Sequence, residues 1–488
     1  MAQQGLIGLF PQWYLPNFGS GYIVALYASI HILLSHISVG SSFLVAYFYT
    51  KAYKNNDEQL FRYVKQYLLR FLIYPYIIGS VTGPGIWFST TVSAPRGISS
   101  LIHNFVWVWG AEEIFFISEV MLIYILYYNY ERIARRTFMH WTWGFAFLSW
   151  GTMLLIVGIL SFMLTPGQRD TWAQTGNMLY GFWTANYFPH VFMRTSFMFA
   201  LAALLGLIVA VYVKNPKLKQ EIVRELSLIG MAGIFFGGVF LYWYLRTIPA
   251  RSELILTQVI PQPFLLTIGL AVLGLTLFFA LYFIWPRLNQ SRALLVALFI
   301  GVLALAIFPS ERAREWMRKP YVAGEFMYVN QVIARDVPGR GMQSELPLLA
   351  QEGMLKAHPF VPARVKTITP ENELEAGRAM AMIACANCHS LDERGPRPLV
   401  LKMQGVNNPE IMLQFLERRL GGDMTQGQAP YMPILAATEA EKRALANYLV
   451  ELNRQFLEKK AKNTPLPYPL LQETSSLSEP SIHRATGR

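Results

Sequence analysis

The chain has 488 residues, of which 53% are hydrophobic and only 15% charged, against about 25% charged in a typical soluble protein. That balance excludes a purely soluble enzyme. The net charge of +12 does not point to nucleic acid, because most lysines and arginines of the first two thirds sit in short loops between apolar runs, where membrane orientation accounts for them.

Met1 to Ser20 carries no basic residue and includes Pro11 and Pro16, so no cleavable signal is expected and the first span directs its own insertion. A span needs about 20 apolar residues. Eight stretches qualify: 20–49, 67–88, 103–128, 141–163, 188–213, 226–245, 264–285 and 291–308. The loops 50–66, 129–140, 214–225 and 286–293 hold thirteen basic residues, against four in 89–102, 164–187 and 246–263. By the positive-inside rule this alternation puts the basic loops in the cytoplasm, with the N-terminus and everything after Pro309 on the outer side.

Ionisable side chains are costly inside a bilayer and by default suggest function. The spans hold few: His31 and His36 in the first, Glu112, Glu113 and Glu119 in the third, His190 and Arg194 in the fifth. A neutral imidazole facing a bundle interior is a ready iron ligand. The charged run Glu311 to Lys319 follows the eighth span.

The last third reads as a polar linker over 331–370, a compact segment over 371–456 and a Pro/Ser/Thr-rich tail over 457–488, whose composition predicts disorder. Residues 385–389 spell C-A-N-C-H, the C-x-x-C-H motif of covalent c-type haem attachment. The two thiols add to the haem vinyl groups and His389 is placed to ligate iron. A zinc site would want four ligands, and the sequence has no third cysteine.

A helix opening at Glu373 leads to the cysteines, and a second begins near Thr438 with Leu445, Tyr448 and Leu449 on its apolar face. With the C-x-x-C-H motif, this segment resembles a class I cytochrome c. The resemblance implies a methionine as second axial ligand, and Met432, in Ala429-Pro430-Tyr431-Met432-Pro433, fits better than Met403 or Met424.

The spans carry a second resemblance. Around His31 runs Y-A-S-I-H-I-L-L-S-H-I-S-V-G, followed by V-T-G-P-G-I-W-F over 81–88, F-F-I-S-E over 115–119 and R-E-W-M-R-K-P-Y-V-A-G-E over 314–325. Residues 15–330 thereby resemble subunit I of cytochrome bd oxidase. The resemblance implies that His31 and Glu315 ligate active-site haems, that His190 ligates a low-spin haem b, and that Arg318 sits beside haem propionates. Glu119, Glu112 and Glu113 become candidates for proton delivery to the oxygen-reducing centre. It further implies haem b, with haem d as an option using the same protein ligands, a second membrane subunit, and a place in the bacterial inner membrane with the haem c domain in the periplasm. The chain departs from the family at three points. Thr267 stands where the family has a methionine ligand, leaving that haem five-coordinate, differently ligated or absent. The quinol-binding loop is reduced to 246–263, and the ninth span is replaced by the linker and haem c domain.

The expected fold is therefore all-α: a polytopic bundle of about eight spans over 1–330, then a small cytochrome c domain. The leading expectation for function is a bd-like terminal oxidase that takes electrons through its own haem c and reduces dioxygen to water, with soluble or membrane-bound cytochrome c, or a quinol, as donor. The alternatives are a quinol-oxidising cytochrome that passes electrons outward through haem c, and a non-catalytic haem-bearing anchor subunit.

Overall fold

The computed structural model describes residues 9–11, 13–166, 169–337, 339, 341–395, 397–420 and 428–463. Helix α1 (Tyr22–Asn55) runs 34 residues, about 50 Å at 1.5 Å per residue, and ends where Asn56 turns left-handed at φ 48°. The Asp57 carboxylate then accepts the amide protons of Gln59 and Leu60 to start α2 (Glu58–Ser93), an N-cap that satisfies donors the first helical turn leaves open. A π turn over Tyr67–Leu72 interrupts α2. There the buried Tyr67 hydroxyl lies 3.0 Å from Ser41 Oγ and donates to the carbonyl of Ala202 at 2.7 Å, tying three elements together.

A short α3 (Pro95–Asn104) leads into α4 (Val106–Asn129), and α5 (Arg135–Leu164), α6 (Tyr187–Ala210), α7 (Pro216–Leu245), α8 (Gln262–Ile284) and α9 (Arg292–Arg318) complete the bundle. Among the described residues seven helices are long and apolar enough to cross a membrane. The eighth expected span, α4, has 24 residues but carries Glu112, Glu113 and Glu119. The chain is an all-α, multi-pass membrane protein.

Small residues set the tightest crossings, as they do where helices must pack without much apolar driving force in lipid. A Cβ on Gly40 of α1 would meet the carbonyl oxygen of Met198 on α6 at 2.4 Å, and one on Gly233 of α7 would meet that of Ser196 at 2.6 Å. Helix α6 is thus pressed between α1 and α7, and its residues from Ala200 to Ala210 are almost wholly buried.

The loops sort to two ends as their charges suggested. At one end Lys51 pairs with Glu225 and with Glu221 at 2.6 Å, Lys65 with Glu131 at 2.5 Å and Arg135 with Glu58 at 2.7 Å, joining the three most basic loops. At the other, Arg96 binds the Glu345 carboxylate in a two-pronged pair at 2.8 and 2.5 Å, and Arg251 pairs with Glu325 at 3.0 Å. The N-terminal segment lies at this second end too, where Ser20 donates to the carbonyl of Ala386 at 2.8 Å and Tyr14 to Asp392 at 2.7 Å. Residues 14–20 and the C-terminal domain therefore share one side of the bundle.

A small hairpin, β1 (Tyr321–Ala323) with β2 (Met327–Tyr328), follows α9. Its turn needs Gly324, whose φ is +46° and whose Cβ position is 2.7 Å from the Phe162 ring. In the C-terminal domain α10 (Leu346–Glu352), α11 (Glu373–Ala384), α12 (Pro409–Arg419) and α13 (Glu439–Asn463) surround a core that includes Met380, Met412, Leu445 and Leu449. Helices α11 and α13 cross so closely that a Cβ on Gly377 would lie 2.1 Å from the carbonyl oxygen of Ala444.

Two boundaries differ from expectation. The segment 331–370 is no free tether: Val332, Leu349, Leu355 and Val365 are buried in the same core, and Glu441 of α13 accepts the amide protons of Met354 and Leu355 at 3.0 and 2.7 Å. Its apolar residues are too sparse to register as a pattern yet enough to dock it. Helix α13 continues through residues 457–463 of the expected tail, and the rest of that tail, 464–488, lies outside the described residues.

Candidate functional site

The C-x-x-C-H segment forms one turn at the end of α11. Cys388 and His389 both donate their backbone N–H to the carbonyl of Cys385 at 3.0 Å, which brings both half-buried, unbonded cysteines and the histidine to one side of the helix end. The carbonyl of Arg397 takes the His389 Nδ1 proton at 2.8 Å, so Nε2 keeps its lone pair, the state a metal-ligating imidazole needs. Burial, the largest influence, also holds the imidazole below its ordinary pKa. Burial and the neighbouring Cys388 push the Cys385 thiol up to about 12, the opposite of the activated thiolate a redox dithiol requires. Met432 is half-buried in a turn closed by its N–H on the Ala429 carbonyl at 3.2 Å. Met403 is core, and Met424 lies outside the described residues. Among the described residues no three His, Cys, Asp or Glu side chains are grouped to hold a bare metal ion.

In the bundle, the α1–α2 contact explains the V-T-G run. The His31 Nδ1 lies 3.0 Å from the Gly79 carbonyl and 3.2 Å from the Thr82 hydroxyl, again leaving Nε2 as the lone-pair nitrogen. Gly83 gives the ring room, since a Cβ there would sit 3.2 Å from His31 Cε1, and Gly85 would collide with Tyr27 at 2.6 Å if it carried one.

On the other side of α1 lies a buried polar cluster. Arg194 of α6 donates from Nε to His190 Nε2 at 2.7 Å, and its Nη1 lies 3.2 Å from His36 Nε2 and its Nη2 3.3 Å from Glu311 of α9. Glu311 also pairs with Arg314 at 2.7 Å. Each guanidinium in such a place must be matched by charge or hydrogen bonds. His190 and Arg194 stand out in the sequence as the ionisable groups of the fifth span, whereas the roles of His36 and Glu311 in the cluster come only from the structure. The available signal was their spacing: Arg194 follows His190 by four residues, one helical turn, which stacks them on one face.

Glu315 is fully engaged. Its two oxygens take three bonds from Arg318 at 2.6 to 3.1 Å and one ion pair from Lys319 at 2.8 Å, so iron could bind this carboxylate only by displacing one of those cations. The next residue, Trp316, is the junction with the C-terminal domain. The Arg397 guanidinium lies 5.7 Å from the centre of its ring, Arg312 lies 5.2 Å from it, and Tyr431, adjacent to Met432, packs with it in one apolar cluster.

The three acids of α4 do not act as one group. Glu119 is buried, Glu112 half-buried and Glu113 exposed, as expected when neighbours lie about 100° apart around the helix. The buried hydroxyls of Tyr76 and Ser149 adjoin the Glu119 carboxyl. Thr267 is also exposed, with its hydroxyl donating to the Pro263 carbonyl at 2.9 Å. The loop after α7 is closed down on α9 and the hairpin, with Ser252 donating to the Met317 carbonyl at 2.8 Å and Arg251 to that of Lys319.

No protein-family model matches the chain, and no curated protein does. Among solved structures the chain is similar to bd oxidase from Geobacillus thermodenitrificans, with a TM-score of 0.55 at 13% identity, over 67% of this chain and 90% of that one. At that identity the likeness shows a shared fold.

Proposed function

We propose that the chain is the haem-bearing core of a bd-type membrane oxidoreductase, in which electrons enter at a covalent haem c on the outer face and dioxygen is reduced to water inside the bundle. The observation that carries this reading is the junction at Trp316: Arg397, whose carbonyl orients His389, faces the ring of the residue next to Glu315, so the C-x-x-C-H domain is docked on the bundle end rather than swinging on a tether. The bd-oxidase fold likeness supports the class of chemistry.

Haem would supply a one-electron iron couple at each site. The chain's own residues do the rest. Cys385 and Cys388 would hold the outer group by thioether bonds, with His389 and Met432 as ligands. His31, with Nδ1 fixed by Gly79 and Thr82, would hold an inner group, and His190 another; Arg318 supplies positive charge for propionates, a role suited to a planar guanidinium. Glu315 would join as a ligand on releasing Lys319 or Arg318. Glu119, beside Tyr76 and Ser149, is placed to hold a proton on its carboxyl oxygens inside the bundle, with Glu112 two turns away toward the outer end. The exposed Glu113, on a helix whose exposed side chains also include Trp107 and Ile114, suits contact with a second membrane subunit better than proton relay. In this reading the chain sits in the bacterial inner membrane with its docked domain in the periplasm.

Oxygen uptake by the purified complex tests the reading. Reduced cytochrome c, as donor, is expected to support uptake, and a quinol is not, since the loop that would bind it is closed. Uptake with quinol alone would reverse the entry route, and uptake with neither donor would remove the oxidase assignment.

A further inference from the structure

We propose that His36 and His190 are the two axial ligands of one haem between α1, α6 and α9, a site separate from that of His31. The inference rests on the reading that the bundle binds haem. It assigns a ligand that Thr267, exposed and bonded to Pro263, does not supply.

Both imidazoles are set in the ligating tautomer. His36 Nδ1 donates to the carbonyl of Ile32 at 2.5 Å, so its Nε2 carries the lone pair. His190 Nε2 accepts from Arg194 Nε at 2.7 Å, so its Nδ1 bears the proton, which goes to Ser161 Oγ at 3.1 Å. Both Nε2 atoms then converge on adjacent nitrogens of a single guanidinium, which brings them to one place from two different helices. The Gly40–Met198 crossing, one turn along from His36 and Arg194 on their respective helices, sets that approach. His31 and His36 are five residues apart, about 140° around an α-helix, which is why His31 meets Gly79 and Thr82 on α2 instead and cannot share this site.

The electrostatics suit the same occupant. Glu311 pairs with both Arg194 and Arg314, two cations on one carboxylate, and haem brings anionic propionates. The Tyr244 ring stands edge-on to His190 with centroids 5.2 Å apart. Since neither Nε2 carries a proton, iron can take both lone pairs without proton release, replacing the two hydrogen bonds from Arg194.

The test is spectroscopic. In the purified full-length chain, near-infrared magnetic circular dichroism and EPR of the oxidised protein are expected to show a bis-imidazole low-spin haem. His36→Ala should convert it to a high-spin signal, His36→Met to a His–Met one, and His31→Ala should leave it unchanged. The inference is overturned if the unmodified protein shows haem but no bis-imidazole component, or if the component survives His36→Ala. A chain that retains no membrane haem at all would instead overturn the reading on which the inference rests.

Discussion

Replacing Cys385 and Cys388 together by alanine is expected to abolish covalent haem and to lower cytochrome-c-driven oxygen uptake by more than about 100-fold, the upper end of what losing a mere outer-shell partner costs. Both side chains sit in one turn at the end of α11, so their loss leaves the α11–α13 crossing and the apolar core of the domain in place. The membrane haem spectrum should therefore persist. The checks are haem staining after denaturing electrophoresis, optical spectra of the same preparation, and uptake with reduced cytochrome c. Unchanged uptake in the doubly substituted chain would show that electrons enter elsewhere.

The second large effect is expected at His31. His31→Ala removes the one imidazole on the α2 side of α1, and a high-spin membrane haem should be lost together with oxygen uptake. Thr82→Val is the graded companion. It removes the hydroxyl 3.2 Å from Nδ1 but leaves the Gly79 carbonyl at 3.0 Å, so the ring keeps its tautomer and loses one support. A fall of about 10- to 100-fold in haem affinity or turnover is expected, within the range for outer-shell partners and equal to about 1.4–2.7 kcal/mol. Haem content from the pyridine haemochrome and uptake rates would be measured on both variants. Full haem content and activity in His31→Ala would remove His31 from the site.

The two variants probe a region that the sequence marked only by its resemblance, through His31 and the V-T-G run. The structure adds that Gly83 and Gly85 of that run pass close to the His31 and Tyr27 rings. The helices were legible more directly. Among the described residues seven of the eight expected stretches lie on helices long and apolar enough to cross a membrane, and the eighth lies on α4 with its three glutamates, because span length and apolarity are local properties. The loop charges likewise ordered the two ends, as the ion pairs joining residues 51, 65 and 135 to their partners at one end show.

What sequence could not give was side-chain partnership across long separations. His36 and Arg194 are 158 residues apart, and nothing in the local pattern around either names the other. His36 shares a span with His31, yet the helix turns it toward a different neighbour. The docking of the C-terminal domain was hidden for the same reason. Arg96 and Glu345 are 249 residues apart, and the segment carrying Glu345 reads by composition as a linker. Glu112 and Glu113 were indistinguishable in sequence, and only packing separates the half-buried one from the exposed one. Glu315 posed the reverse problem: its motif suggested a free ligand, whereas Arg318 and Lys319, three and four residues on, fold back to occupy it.

The central claim is that one chain carries a covalent haem on its outer domain and further haem within its bundle. A pyridine haemochrome assay on the purified chain, before and after acid-acetone extraction, tests it most directly. The expected result is one haem c per chain that stays with the polypeptide, plus at least one haem that extracts. A chain with no covalent haem, or with covalent haem and nothing extractable, would contradict it.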